Sequence, residues 1–186
     1  MDLKVSVIGL GIVGEAIYKY LKFKKITTKS FDIVKESDSF EDCLQTDIMF
    51  LCLPTVFSEE KKEYDKIPIY DTCKKLIDAN YMGIILIKST IEPMTTELLS
   101  QEYKLKIIHN PEFLSSKTAY EDFKNQQKII LGINSNIEKS DIETIIDFYN
   151  QYFPESEISI CSSTESESMK IFSNCFYSVK IQFLMS

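Results

Sequence analysis

The sequence predicts an α/β fold in which helices cover both faces of a doubly wound, mostly parallel sheet and one further helix follows. Short apolar runs alternate with amphipathic stretches from residue 3 onward, a rhythm typical of repeated βαβ units. Three runs are apolar at nearly every position, as expected for strands that helices cover on both faces: 5–8, 48–51 and 84–87. A chain of 186 residues is long enough for one domain with a sizeable core and an attachment.

The periodicity orders these elements along the chain. The predicted strands are 3–9, 29–33, 47–53, 83–88, 105–109, 127–132 and 157–161. The predicted helices are 12–23, 70–80, 94–102 and 137–150, with an irregular stretch over 110–116. Thr164 and Glu167 have the spacing of a capping box and predict the start of a last helix, whose apolar face continues to the end of the sequence. We therefore expect a domain over 1–161 and a helix over 162–186 that is truncated.

Composition and charge exclude several classes of protein. The net charge is −7 and the lysines are interspersed with acidic residues, so no basic stripe predicts nucleic-acid binding. No run approaches the roughly 20 apolar residues of a membrane span. Five cysteines without a C-x-x-C pair, and a start without a signal sequence, favour reduced thiols in the cytoplasm. A single histidine leaves little for a transition-metal site, so we predict no metal.

A glycine-rich turn lies between the first predicted strand and the first predicted helix. It reads Gly9-Leu10-Gly11-Ile12-Val13-Gly14 and has the G-x-G-x-x-G spacing of the Rossmann dinucleotide-binding fold. The first glycine permits the tight turn, the second lets the backbone approach a pyrophosphate, and the third lets helix and strand pack closely. Free N–H groups at the helix start face the anion. We predict that Gly9, Gly11, Ile12, Val13 and Gly14 bind the cofactor.

An acidic residue follows at the position that this fold uses for the ribose. Asp32 ends the second strand, 18 residues after Gly14, where a carboxylate accepts hydrogen bonds from ribose hydroxyls. It would repel a 2′-phosphate, so the sequence favours NAD over NADP, although Lys35 could soften this preference by meeting a phosphate. A tight turn without a ligand is the weaker interpretation, because strand, helix and acid occur together.

Four further segments carry candidate site residues. Leu53-Pro54-Thr55, Lys88-Ser89-Thr90 and Asn110-Pro111-Glu112-Phe113-Leu114 each follow a predicted strand, where open α/β sheets gather their ligands. Lys170 and Asn174 are four apart on the last helix and therefore share a face. Taken alone, Thr90 could cap the following helix and Lys170 could be a solvated charge.

With these segments in view, the chain resembles the nucleotide-sugar 6-dehydrogenases, the UDP-glucose and GDP-mannose dehydrogenase family. The resemblance spans nearly the whole sequence. It rests on the glycine turn, on 47–55, and on Lys88-Ser89-Thr90 followed by Pro93. The most specific segment is 110–114, and Glu167, Lys170 and Asn174 match the start of the helix that links the two domains of the family.

The resemblance implies an NAD-dependent oxidation of a sugar CH₂OH to a carboxylate, with two NAD and an intermediate held on a cysteine. UDP-glucose, oxidised to UDP-glucuronate, is the expected substrate, and a full-length chain is expected to form a homo-oligomer. Thr55 and Thr90 would contact the cofactor. Thr90 and Glu112 would hold or activate water or hydroxyl, and Lys170 and Asn174 would stabilise oxyanions. The substrate would contact Glu112, Phe113, Leu114, Lys170 and Asn174.

Two departures leave alternatives open. Ser116 stands where the family commonly has an acid, and the family's nucleophilic cysteine, which follows the linking helix, has no counterpart in these residues. We therefore expect the 186 residues alone to be inactive. One alternative is a non-catalytic dinucleotide-binding module. Another is a β-hydroxyacid dehydrogenase of the 6-phosphogluconate type, against which the 110–114 segment argues.

Overall fold

A computed structural model describes residues 3–185. The strands are β1 (Val5–Ile8), β2 (Thr28–Phe31), β3 (Ile48–Leu51), β4 (Phe57–Ser58), β5 (Glu63–Tyr64), β6 (Ile84–Ile87), β7 (Lys106–His109), β8 (Lys128–Ile133) and β9 (Glu157–Ser162). The helices are α1 (Ile12–Phe23), α2 (Phe40–Cys43), α3 (Ile67–Asp78), α4 (Thr95–Tyr103), α5 (Ala119–Lys124), α6 (Lys139–Tyr152) and α7 (Ser163–Met185).

Seven of the strands form one sheet in the order β2-β1-β3-β6-β7-β8-β9. Every neighbouring pair in this sheet is parallel except β7 and β8. The predicted doubly wound, mostly parallel fold is confirmed. Successive strands run outward from β1 to β2 and then cross to β3 on the other side of β1, which opens a crevice at the carboxyl ends of β1 and β3.

Two hydrophobic layers explain the nearly continuous apolar runs. In β3, Ile48 and Phe50 face one layer, and Met49 and Leu51 face the other. The first layer packs the sheet against α1, α5 and α6, and the second packs it against α2, α3 and α4. Alternate side chains of a strand point to opposite faces, so a strand buried on both sides has few polar positions, and in β1 only Ser6 is polar.

Three short elements were not predicted. They are α2, the β4–β5 hairpin and α5. Helix α2 begins with a capping box between Ser39 and Asp42 but has only four residues, too few for an apolar periodicity. The charged stretch 59–63 contains the turn of the hairpin. Helix α3 begins at Ile67, three residues before its predicted start.

The predicted capping box at the last helix is wrong. The reciprocal pair is Ser162 with Glu165: the Ser162 N–H donates to the Glu165 carboxylate at 2.8 Å, and the Glu165 N–H donates to Ser162 Oγ at 3.2 Å. Glu167 is fully buried and accepts hydrogen bonds from the N–H groups of Met94 and Thr96, at the start of α4. Both pairs have the same spacing in the sequence, and only tertiary packing decides between them.

Helix α7 lies against the sheet at a glycine. A Cβ at Gly132 would lie 2.6 Å from the Ser166 Cβ, so the close contact between β8 and α7 requires a glycine. Beyond Lys170 the helix becomes exposed, and its large apolar side chains include Phe172, Phe176 and Phe183. No helix within residues 3–185 is long and apolar enough to cross a membrane. The division at 161/162 falls next to the junction of β9 and α7 and stays a prediction.

Candidate functional site

A cleft of about 690 Å³ opens at the crevice between β1 and β3. Five of the predicted cofactor residues line it: Gly9, Gly11, Ile12, Val13 and Asp32. The opposite wall comes from the start of α3, and it includes Pro68 and Thr72. The sequence analysis did not select that wall, although a helix that connects two parallel strands begins at the carboxyl edge of the sheet, and that order is the signal that could have revealed it.

The three glycines have different structural reasons. Gly9 has φ +89°, and a Cβ there would lie 2.6 Å from the Cys52 carbonyl oxygen. A Cβ at Gly14 would lie 1.8 Å from the Gly9 carbonyl oxygen. A Cβ at Gly11, in contrast, meets nothing within 4 Å. The fold itself requires Gly9 and Gly14, whereas Gly11 leaves open space at the start of α1, which is the position where Rossmann folds bind a pyrophosphate.

Asp32 organises the far end of this cleft. Its carboxylate accepts hydrogen bonds from the N–H groups of Leu10 at 2.6 Å, Val34 at 2.8 Å and Lys35 at 2.9 Å. Burial acts to raise the pKa of Asp32, but the N–H groups of Lys35, Leu10 and Val34 outweigh it and hold the pKa below its usual range. The carboxylate is therefore ionised and fastens the 33–35 loop to the glycine turn.

A second cavity of about 170 Å³ adjoins the cleft and shares Val13, Cys52 and Leu53 with it. Predicted residues from three segments line this cavity: Thr55, Thr90 and Glu112. The Thr55 hydroxyl donates to the Thr90 carbonyl at 2.7 Å, which ties the ends of β3 and β6 together. Thr90 does not cap the following helix, because the N-cap of α4 is Met94. The structure thus brings Thr55, Thr90 and Glu112 into one hollow.

Lys170 approaches the same segment from α7. It is 5% exposed, so it is not a solvated charge, and its Nζ lies 3.1 Å from the Glu112 carboxylate. The Lys170 ammonium also donates to the Glu112 carbonyl and lies 5.1 Å from the centre of the Phe113 ring. The Leu114 N–H donates to the other Glu112 oxygen at 2.6 Å. Asn174 lies one turn further along α7, exposed and outside these contacts.

A buried lysine that the sequence analysis did not select supports this segment. Lys88 is 3% exposed and its Nζ donates to Asn110 Oδ1 at 3.0 Å and to the Pro111 carbonyl at 3.4 Å. Burial lowers its pKa to about 8. Its place in Lys88-Ser89-Thr90, at the end of a fully buried strand, is the signal that could have revealed it. Lys88 holds the backbone that precedes Glu112.

The single histidine has a structural setting. His109 is fully buried at the end of β7, and its Nδ1 lies 2.8 Å from Ser166 Oγ on α7. Burial, reinforced by the nearby Lys88 charge, lowers its pKa to about 3. His109 is therefore neutral and joins β7 to α7. Within residues 3–185 there is no group of three or more His, Cys, Asp or Glu side chains that could hold a metal ion.

Comparison with known proteins identifies relatives of this chain. The model of the UDP-glucose/GDP-mannose dehydrogenase family, NAD binding domain, matches residues 22–153, a range that begins after the glycine turn. A UDP-glucose 6-dehydrogenase of Rickettsia typhi is 28% identical over 194 residues, covering 98% of this chain and 43% of that protein. One of Campylobacter jejuni is 27% identical over 146 residues, covering 77% of this chain and 36% of that protein.

Solved structures agree in fold. A UDP-glucose dehydrogenase of Pyrobaculum islandicum superposes with a TM-score of 0.84 at 21% identity, over 98% of this chain and 51% of that one. A GDP-mannose dehydrogenase of Pseudomonas aeruginosa gives 0.80 at 18% identity, with the same coverage of both chains. The chain spans less than half the length of the two curated relatives above. It belongs to the UDP-glucose/GDP-mannose dehydrogenase family as an NAD-binding domain.

Proposed function

We propose that these residues are the NAD-binding part of a UDP-glucose-type 6-dehydrogenase, which oxidises a nucleotide-sugar CH₂OH to a carboxylate. The observation that carries the proposal is the ion pair between the buried Lys170 and the partly buried Glu112, because Glu112 also lines the cavity that continues the glycine cleft. Two opposite charges held at one end of a cofactor cleft are suited to move protons and stabilise charge during hydride transfer.

The proposed roles follow from these positions. Bound NAD would supply the hydride acceptor. Thr90 and Glu112 would hold or deprotonate the water or hydroxyl, since both line the smaller cavity. Lys170, with Asn174 one turn away, would stabilise the oxyanion. Phe113 and Leu114, the two residues after Glu112, would face the sugar nucleotide.

Balanced over both steps, R–CH₂OH, one water and two NAD⁺ would give R–COO⁻, two NADH and three protons, and the water would supply the second carboxylate oxygen. The thiol on which the family holds the intermediate would come from outside these residues, so we propose that the 186 residues alone do not turn over. We also place the protein in the cytoplasm, because its five cysteines form no C-x-x-C pair. A homo-oligomer is proposed for the full-length protein.

A non-catalytic NAD-binding module is the second candidate, and the observation that favours it is the exposed Ser116 in place of an acid. The test is NADH formation at 340 nm by a polypeptide that joins this chain to a nucleotide-sugar domain. We expect two NADH for each UDP-glucose consumed, and loss of activity in Lys170→Met and Glu112→Gln. NAD binding without NADH formation would support the non-catalytic module. One NADH from 6-phosphogluconate, and none from UDP-glucose, would support a β-hydroxyacid dehydrogenase.

A further inference from the structure

An ion pair joins the loop after β2 to the start of α1, next to the Asp32 end of the cleft. Lys35, in the loop after β2, lies with its Nζ 2.6 Å from Glu15 in the first turn of α1. A second lysine, Lys19, contacts the other Glu15 oxygen at 2.6 Å. We propose that Glu15 is a specificity-determining residue, which maintains the preference for NAD by holding Lys35 away from a 2′-phosphate. The proposal rests on the cofactor class and does not depend on the sugar chemistry.

Lys35 lies beside Asp32, the residue that favours NAD over NADP. Its backbone N–H donates to the Asp32 carboxylate, the group that meets the ribose hydroxyls in this fold. A lysine so close to the 2′ position is the residue type that recognises a phosphate there. In this chain the ammonium pairs instead with Glu15 on α1, and the Lys35 side chain is 48% exposed.

The ion pair between Glu15 and Lys35 affects cofactor choice through its charges. Hydrogen bonds from Lys19 and Lys35 lower the pKa of Glu15 to about 2, so the carboxylate is ionised at neutral pH. An exposed pair of this kind contributes little to the free energy of unfolding. It does change the local potential, because a 2′-phosphate carries close to two negative charges and Glu15 adds one more beside it. Removing Glu15 would free Lys35 to pair with the phosphate.

The experiment is calorimetric titration of NAD and NADP into the purified 186-residue chain and its variants. Glu15→Gln is the test variant, and Glu15→Gln with Lys35→Met removes the freed lysine. The matched control is Glu143→Gln, which breaks a similar exposed pair with Lys139 on α6, away from the cleft. Thermal denaturation of each variant checks that the fold is retained.

We expect Glu15→Gln to tighten NADP binding by about threefold to tenfold in low salt and to leave NAD binding within about twofold. The gain should disappear in the double variant and shrink with added salt, and Glu143→Gln should bind both cofactors as the unmodified chain does. The proposal is overturned if Glu15→Gln leaves the ratio of NADP to NAD affinity unchanged, or if the double variant keeps the gain. Absence of any cofactor binding by the unmodified chain would also overturn the proposal for Glu15. The sugar oxidation is tested separately, by NADH formation.

Discussion

Replacement of Glu167 should destabilise the protein far more than its helical position suggests. Glu167 lies in α7, yet its carboxylate accepts the N–H groups of Met94 and Thr96 at 2.7 Å each and so caps α4. Met94 has φ 78°, a left-handed conformation that a non-glycine residue adopts only when its surroundings hold it. The carboxylate therefore fixes both the start of α4 and the loop that follows Thr90.

The magnitude follows from these two bonds. Glu167→Ala leaves the buried Thr96 N–H without an acceptor, at a cost of about 1–3 kcal/mol. The part-buried Met94 N–H can turn to water, so its loss as part of the helix cap costs about 1 kcal/mol. We expect a loss of about 3 kcal/mol for Glu167→Ala and about 1 kcal/mol for Glu167→Gln, which keeps one acceptor.

The assay is urea denaturation followed by circular dichroism, with the free energy of unfolding taken from the midpoint and slope. Glu165→Ala is the matched control on the same helix. Because the Glu165 side chain is exposed, this variant should lose less free energy of unfolding than Glu167→Ala. Equal effects of the two alanine variants, or a stability of Glu167→Ala within about 0.5 kcal/mol of the unmodified protein, would refute the reasoning.

The pH dependence gives a second readout of the same group. Burial raises the pKa of Glu167 above 4.5, more than the hydrogen bonds from Thr96 and Met94 lower it. The folded state therefore binds more protons than the unfolded state above pH 4.5. As the pH rises from 4.5 through the raised pKa, the stability advantage of the unmodified protein over Glu167→Gln should shrink.

Three further substitutions should change the stability of the protein because they alter buried contacts. Gly14→Ala forces a Cβ to 1.8 Å from the Gly9 carbonyl oxygen and should cost more than about 3 kcal/mol, measured by thermal denaturation. Lys170→Met leaves the partly buried Glu112 carboxylate without its cation and should lower the free energy of unfolding in urea by about 2–4 kcal/mol, part of which Glu112→Gln should restore in the double variant. Lys88 has a pKa lowered from 10.5 to about 8, so the folded state binds fewer protons than the unfolded state between these values. Denaturation at several pH values should show the unmodified protein gaining stability over Lys88→Met as the pH rises through that interval.

The sheet and the cleft at its crevice could be predicted because local sequence determines them. The central strands are apolar at nearly every position, and the glycine spacing dictates a tight turn before α1. The cleft itself assembles from Gly11, Asp32 and their neighbours as the motif indicates.

The contacts between distant segments could not be predicted. The spacing in the sequence pairs Glu167 with Thr164. In the folded protein, the buried Glu167 carboxylate instead accepts a hydrogen bond from Thr96 on α4, which is 71 residues away in the sequence. Lys88 has no partner nearby in the sequence, and its contacts at Asn110 and Pro111 exist only because β6 and β7 are neighbours. Such contacts depend on three-dimensional packing, which periodicity does not encode.

Binding of NAD to the 186-residue chain and to Gly11→Val is the decisive measurement. A Cβ at Gly11 meets no protein atom within 4 Å, so the variant should melt close to the unmodified chain while its side chain occupies the space for the pyrophosphate. Calorimetry should show NAD binding to the unmodified chain and none to Gly11→Val. Equal affinities, or no heat from the unmodified chain at millimolar NAD, would contradict the assignment of this cleft as the cofactor site.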